Sequence, residues 1–379
     1  MNLKSALLAL AAAAVATPAL AQTPICESQG VTVSVDFPSG GRHTCRVAET
    51  GEVTLAVTPE GTPINGSPWY AFRLDAAAAT ELRVTLDYGE YEHRYSPKLT
   101  RDGATWRSVP RRDVIVADDE RRASMNLRLE PGATFIAAQP IETPTAVHAW
   151  AQQVIVPRGF EAVEYGRSID DRPLIAYRAG TGTDLVVAMT RQHPPETSGA
   201  VAFRNFVETI MADTPQANAF RARHRILLVP MPNPDGVMRG HWRWNNGGLD
   251  LNRDWRDFSQ PETRALRDLI QSEAQNRRTV AFFDFHSTRR NVIYAPPLDA
   301  DSPTIDLLPL LRQRLDAAVN PPLPWTFSHS ETGQTSKRWA LSELRAPGLT
   351  VELDDEATVA TAGRIGRTVA ETMFEYTSR

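Results

Sequence analysis

The chain has 379 residues, with 41 Lys and Arg against 45 Asp and Glu and a formal charge of −4. That balance gives no basis for a polyanion partner, so nucleic-acid binding is set aside. A length of this order exceeds one typical core of about 100 to 200 residues and predicts two domains.

Residues 1–21 read MNLKSALLALAAAAVATPALA, with Lys4 ahead of an apolar run and Ala19-Leu20-Ala21 before Gln22. This is the pattern of a secretory signal peptide; a short anchor is the rival, but Pro18 and the small-residue site favour removal. The expected mature chain carries about −5 once Lys4 is lost from the 41 basic residues. It is expected to be periplasmic or secreted, with no later stretch apolar enough to span a bilayer. The two cysteines, Cys26 and Cys45, are expected to form a disulfide in such a compartment, two free thiols being the alternative.

From residue 22 to about 145, apolar residues alternate with polar ones in short runs: Val31, Val33, Val35 and Phe37; Val53, Leu55 and Val57; Tyr70, Phe72 and Leu74; Leu82, Val84, Leu86 and Tyr88; Met125, Leu127 and Leu129. Period two with turn-rich PSGG, TPEGTPINGSP and EPGA between the runs predicts a small antiparallel β-sandwich over 22–145. Beyond 145 the pattern changes. DLVVAMT (184–190), RILLVPM (225–231), TVAFFDFHS (279–287) and LTVEL (349–353) read as buried strands. Helices are expected after residue 199, around LRDLIQSEA and DLLPLLRQRLDAAV, and near 362–377. Strands alternating with helices predict an α/β domain over 146–379 with a mixed, largely parallel sheet.

Ligand sites in such sheets gather at the carboxyl ends of strands. RQHPPETSG places His193 and Glu196 just after one strand, and His286 ends another. Two imidazoles and one carboxylate suit a catalytic Zn²⁺ with an open fourth position. A bare HxxE is weak evidence, since a loop histidine and a helix-start glutamate meet by chance; the strand-end His286 strengthens it. The segment NPDGVMRGHWRWNNGGLDLNRDW (233–255) then carries Arg239, Arg243, Arg253 and Arg256 among tryptophans and glycines. Taken singly, each arginine is a solvated surface residue.

Together these stretches resemble the M14 zinc carboxypeptidases: HPPE, Trp242-Arg243, DLNRDW at 250–255, DFHST at 284–288 and TVEL at 350–353 stand in family order. The resemblance covers the chain from about residue 150, and the β-rich region before it is similar to the domain that precedes the catalytic domain in the cytosolic-carboxypeptidase-like subgroup. It implies one Zn²⁺ per chain on His193, Glu196 and His286, with Asp250 orienting His193. Glu352 would be the base and Arg243 the oxyanion donor, while Asn252 and Arg253 would hold the terminal carboxylate of a peptide. The family's lid tyrosine has no counterpart in FSHSETGQTSKRWAL (327–341), Tyr294 lies close to His286, and His329 is one candidate substitute. Lys337 and Arg338, between that stretch and Glu352, suggest release of acidic C-terminal residues, solvated side chains being the alternative. His43, His93, His148, His224 and His241 are read as structural, and so by default is His329. A zinc amidase acting on N-acyl amino acids, or a noncatalytic binding protein, are the rival functions.

Overall fold

The structure, a computed structural model, describes residues 24–328 and 333–378. The segment read as a signal peptide, and His329, lie outside the described residues.

Two sheets make up the N-terminal region. A six-stranded sheet runs in the order Cys26–Ser28, Val31–Ser34, Ala71–Ala76, Gly132–Ala137, Lys98–Thr100 and Arg107–Ser108. A five-stranded sheet runs His43–Val47, Val53–Val57, Thr80–Asp87, Arg122–Leu129 and Val114–Val116. The period-two positions face one another between them: Val31, Val33, Phe72 and Leu74 from one sheet pack with Val53, Leu55, Leu82, Val84, Leu86, Met125 and Leu127 from the other. Each such side chain contributes about 1.5–3 kcal/mol of hydrophobic stabilisation when fully buried. Cys26 and Cys45 are joined by a disulfide with Cα atoms 5.9 Å apart, and because they lie in different sheets the bond ties the two layers together.

The sandwich is not wholly antiparallel. Val53–Val57 pairs in parallel with Thr80–Asp87, because the chain between them crosses to the other sheet as Ala71–Ala76 and re-enters in the same direction.

The second region is built on an eight-stranded sheet ordered Glu161–Arg167, Pro173–Ala179, His224–Val229, Asp184–Thr190, Arg278–Thr288, Gly348–Asp354, Val292–Ala295 and Trp325–Phe327. Its centre is parallel: 184–190 runs with both 224–229 and 278–288, and 278–288 with 348–354. The central strands are buried on both faces, as their near-continuous apolar runs require. Val186, Ala188, Phe283, Phe285, Leu349, Val351 and Leu353 face one side. There they meet helices Thr197–Met211, Leu307–Ala318 and Val359–Tyr376. Leu185, Val187, Met189 and Phe282 face the other side, packing with Trp255, helix Pro261–Ala274 and helix Ser336–Leu344.

Side-chain alternation sets the chemistry on one face. Asp284 and His286 follow Phe282 at two-residue steps, and Thr350 and Glu352 pair with them Cα to Cα in register. All four therefore point to the Trp255 side, at the carboxyl ends of parallel strands. Among the described residues no helix is long and apolar enough to cross a membrane.

Candidate active site

A turn after strand 184–190 and the helix that follows it present His193 and Glu196. Beyond strand 184–190, Arg191 takes a left-handed backbone, φ 63°, a conformation that costs a non-glycine residue about 1 kcal/mol or more. Its side chain, 2 % exposed, holds the turn from inside: Nη1 donates to Glu142 Oε2 at 3.0 Å and Nη2 to the Pro194 carbonyl at 2.9 Å. His193 and the two prolines follow, and Glu196 stands immediately before helix Thr197–Met211. Gly199 then lets that helix approach the third residue, since a Cβ there would lie 2.5 Å from the His286 carbonyl oxygen.

His193, Glu196 and His286 come together, their ligand atoms within 4.8 Å of one another. Glu196 Oε1 is 2.8 Å from His193 Nδ1, Oε2 is 2.7 Å from His286 Nδ1, and the two Nδ1 atoms are 3.2 Å apart. Each ring's Nε2 faces a different carboxylate: His193 to Asp250 Oδ1 at 2.9 Å and His286 to Asp284 Oδ2 at 2.8 Å. An Nε2–H donated outward leaves the Nδ1 lone pair aimed at the centre, the arrangement by which outer carboxylates orient metal-ligating imidazoles. Two inward lone pairs and a carboxylate, at most 3 % exposed, require positive charge between them. The electrostatics of the bare cluster say the same. Burial raises the Glu196 pKa, but the His193 and His286 rings outweigh it and hold the carboxyl well below its usual range. Burial lowers that of His286, but the Asp284 and Glu196 carboxylates push it well up. The donor set fits a zinc ion, which in catalytic sites takes three protein ligands and keeps a fourth position for water or substrate.

Around this cluster, Asp250 bridges three residues. Its Oδ1 faces His193, its Oδ2 accepts from Arg243 Nε at 2.6 Å, and its Oδ1 also accepts the Asn252 N–H at 2.8 Å. Burial works against the Asp250 charge; the His193 ring, then Arg243, hold its pKa far down. The bond to Asp250 is the only one from the Arg243 guanidinium among the described residues. Glu352 is paired with His286 across the strands, and its Oε2 is buried with no hydrogen-bond partner. Burial, opposed by the two histidines, lifts its pKa to about 7, the range of a general base at neutral pH.

The remaining sequence-derived residues divide. Asn252 is turned inward: Oδ1 accepts the Ser336 N–H at 3.0 Å and Nδ2 lies 3.4 Å from His286 Nε2. Arg253 is exposed, donating to the Asn252 carbonyl at 2.8 Å, with no carboxylate partner among the described residues. Lys337 is half-buried with its Nζ 5.8 Å above the Tyr294 ring, and burial lowers its pKa. Tyr294 pairs with Thr350, on the face that carries Glu352. Arg338 makes no side-chain bond among the described residues, and one residue along a helix points it about 100° away from Lys337.

Two participants escaped the sequence reading. Asp284 also accepts from Gln192 Nε2 at 2.6 Å and from the Ser336 hydroxyl, and Gln192 in turn accepts from Trp255 Nε1 at 2.8 Å. The signal for Asp284 was present, since a residue two before a strand histidine shares its face. Glu60, whose carboxylate reaches the Arg243 backbone, carries no local signal at all.

Comparison with known proteins agrees with this geometry. Residues 147–375 match the zinc carboxypeptidase family of peptidases, M14. Cytosolic carboxypeptidase 2 of Danio rerio is 34% identical over 113 residues, which is 29% of this chain and 16% of that protein. The chain thus matches only a small part of its curated relatives' length. In fold it is similar to a metallo-carboxypeptidase from Burkholderia cenocepacia, with a TM-score of 0.79 and 18% identity over 92% of this chain and 99% of that one. A Pseudomonas aeruginosa metallo-carboxypeptidase, solved in complex with (2-guanidinoethylmercapto)succinic acid, gives 0.76 and 20% over 92% and 99%. The fold likeness covers both the sandwich and the α/β region. The expected periplasmic or secreted location is corrected: most of the curated relatives, those of Danio rerio and Homo sapiens among them, carry the name cytosolic carboxypeptidase. With its family model matched over residues 147–375, the chain belongs to the M14 zinc carboxypeptidases, of the cytosolic-carboxypeptidase-like type.

Proposed function

We propose that this protein removes C-terminal residues from peptides by zinc-dependent hydrolysis, with one zinc per chain on His193, Glu196 and His286. The observation that carries the reading is the unpartnered, buried Oε2 of Glu352 beside a cluster whose two imidazole lone pairs converge on one carboxylate. When bound, zinc supplies Lewis acidity to the scissile carbonyl and lowers the pKa of an attacking water. Glu352 takes the proton of that water and returns it to the leaving amine. Arg243, steadied by Asp250, donates to the developing oxyanion; one such donor is worth about 3 to 4 kcal/mol.

Exo-action rests on Arg253, an exposed guanidinium able to hold a terminal carboxylate by two parallel hydrogen bonds. Asn252 supports it from within, tying that loop to the start of helix Ser336–Leu344. Lys337 supplies the preference: a half-buried ammonium with an aromatic face beneath it and no carboxylate partner among the described residues suits an acidic side chain on the released residue. Arg338 has a lesser part. The α/β unit over residues 146–379 is the catalytic domain in this reading, and residues 22–145 are a separate β domain.

Peptides ending in a free carboxylate and their C-terminal amides test the proposal. The free acids are expected to be shortened from the C-terminus and the amides spared, with activity lost to a chelator and restored by zinc. Equal cleavage of the amides would remove the carboxylate grip, and cleavage of N-acyl amino acids without peptides would make the protein an amidase.

A further inference from the structure

Glu60 stands in the loop after sandwich strand Val53–Val57, 182 residues before Trp242. Its carboxylate accepts three successive backbone N–H groups: Trp242 to Oε2 at 2.8 Å, Arg243 to Oε1 at 2.9 Å and Trp244 to Oε1 at 2.7 Å. Consecutive N–H groups turned toward one point form a concave anion site, and here the anion comes from the other sheet region of the same chain. Both flanking tryptophans are fixed to the sandwich as well. Trp242 is 1 % exposed within the sandwich core, edge-on to Tyr91 at 4.9 Å. Trp244 closes over Gly61, where a Cβ would fall 2.2 Å from its ring. The backbone of Arg243 thus belongs to the sandwich, while its guanidinium reaches Asp250 and through it His193.

We propose that Glu60 is a positioning residue for hydrolysis, holding the Arg243 backbone where its guanidinium meets the developing oxyanion. This rests on the function proposed above. Arg243 has a long side chain with one described anchor, so where its guanidinium stands follows from where its backbone stands. A misplacement of about 1 Å in a catalytic group can cost about 10²-fold in rate. The sandwich is then part of the catalytic apparatus, supplying the position of a group whose side chain belongs to the other region.

A plain fastening role is separable, because the two regions are held together elsewhere. Arg94 donates from Nε to Asp355 Oδ2 at 2.7 Å, both side chains at most 6 % exposed, and Gln139 Nε2 donates to the Asp355 carbonyl at 2.8 Å. Loss of Glu60 leaves these bonds intact, so Glu60→Ala is expected to fold and bind zinc.

The test compares wild type, Glu60→Ala, Glu60→Gln, Arg243→Lys and the Glu60→Ala/Arg243→Lys double variant on one peptide with a free terminal carboxylate. Amide hydrogen exchange across 241–245 and zinc content are read on the same samples. Expected are unchanged zinc, faster exchange confined to that segment, and a roughly 10- to 100-fold fall in kcat with KM little changed in Glu60→Ala. Glu60→Gln, which keeps one accepting oxygen, should lose less. In the Arg243→Lys background the Glu60→Ala substitution should cost no more than about threefold, since coupled residues do not act independently. The same loss in both backgrounds, a loss in KM alone, or unaltered exchange at 241–245 would overturn the proposal. An active wild type with a normal Glu60→Ala defeats this inference alone, whereas a wild type inactive on every peptide defeats the hydrolytic reading beneath it.

Discussion

Asp284 lies 2.8 Å from the Nε2 of His286, two residues earlier on the same strand, and shares its carboxylate with Gln192 and Ser336. The carboxylate fixes which ring nitrogen carries the proton, and so which one is free for metal. Asp284→Asn offers an amide that can present its N–H to Nε2, favouring the wrong tautomer. Outer partners of this kind are worth about 10- to 100-fold in metal affinity. A competition titration with a chromophoric chelator should show that loss in Asp284→Asn; unchanged zinc affinity would remove Asp284 from the orientation of His286.

Gly199 makes a second, steric prediction. A Cβ at this position would sit 2.5 Å from the His286 carbonyl oxygen and 2.7 Å from its carbon, backbone atoms that cannot rotate away. Gly199→Ala should therefore push helix Thr197–Met211 off the strand, costing about 1–3 kcal/mol as overpacked sites do. Urea unfolding measures the stability, and the zinc titration should weaken with it because Glu196 rides on that helix. A stabilised protein, the usual result of Gly→Ala in an open helix, would show that the contact is relieved cheaply.

Acid should loosen the sandwich through His43. This ring is 8 % exposed, its Nε2 accepts the Ala71 N–H at 3.3 Å, and burial lowers its pKa from 6.5 to about 4. The unfolded chain therefore binds a proton between pH 6.5 and 4 that the folded chain refuses, and stability falls as pH drops through that window. At 1.36 kcal/mol per unit the full loss is about 3 kcal/mol. His43→Gln keeps an acceptor and removes the titration. Its urea-derived stability should change less than that of wild type between pH 7 and 4.5, and parallel curves would show that other groups carry the acid response.

Lys337 governs the proposed preference. Replacing a charge-assisted bond of about 1.5–3 kcal/mol should lower the Glu-over-Leu ratio of kcat/KM by about 10- to 100-fold in Lys337→Met. Arg338→Ala should leave the ratio nearly unchanged. Release rates from peptides ending in Glu, Leu and Lys measure this, and a wild-type preference for Leu or Lys would sink the assignment.

What could be read from sequence followed local periodicity. Apolar residues alternate with polar ones through residues 31–37, 53–57 and 82–88, and the central strands of the larger sheet are near-continuous apolar runs, so the sandwich core and the centre of the larger sheet were legible. Strand Glu161–Arg167 was not, being an edge strand with no buried residue, nor was Pro173–Ala179, whose buried Leu174, Ala176 and Tyr177 follow no clean alternation. Helix Pro215–Arg223 buries only Ala217 and Phe220 and has no apolar stripe to read. The spacing of His193, Glu196 and His286 relative to strand ends was visible because strand ends are where ligands gather. Glu60 was invisible for the opposite reason: it meets Arg243 across 183 residues, brought there by tertiary contacts such as the packing of Trp242 into the sandwich core.

In the proposed reaction Glu352 moves a proton beside a zinc held by His193, Glu196 and His286. Glu352→Gln keeps the shape of the side chain and cannot accept that proton. Turnover of a free-acid peptide and zinc content, measured together on wild type and Glu352→Gln, test it most directly. About one zinc is expected in each, with turnover lower by at least about 10²-fold in the variant. Near-normal turnover in a fully zinc-loaded Glu352→Gln would contradict it.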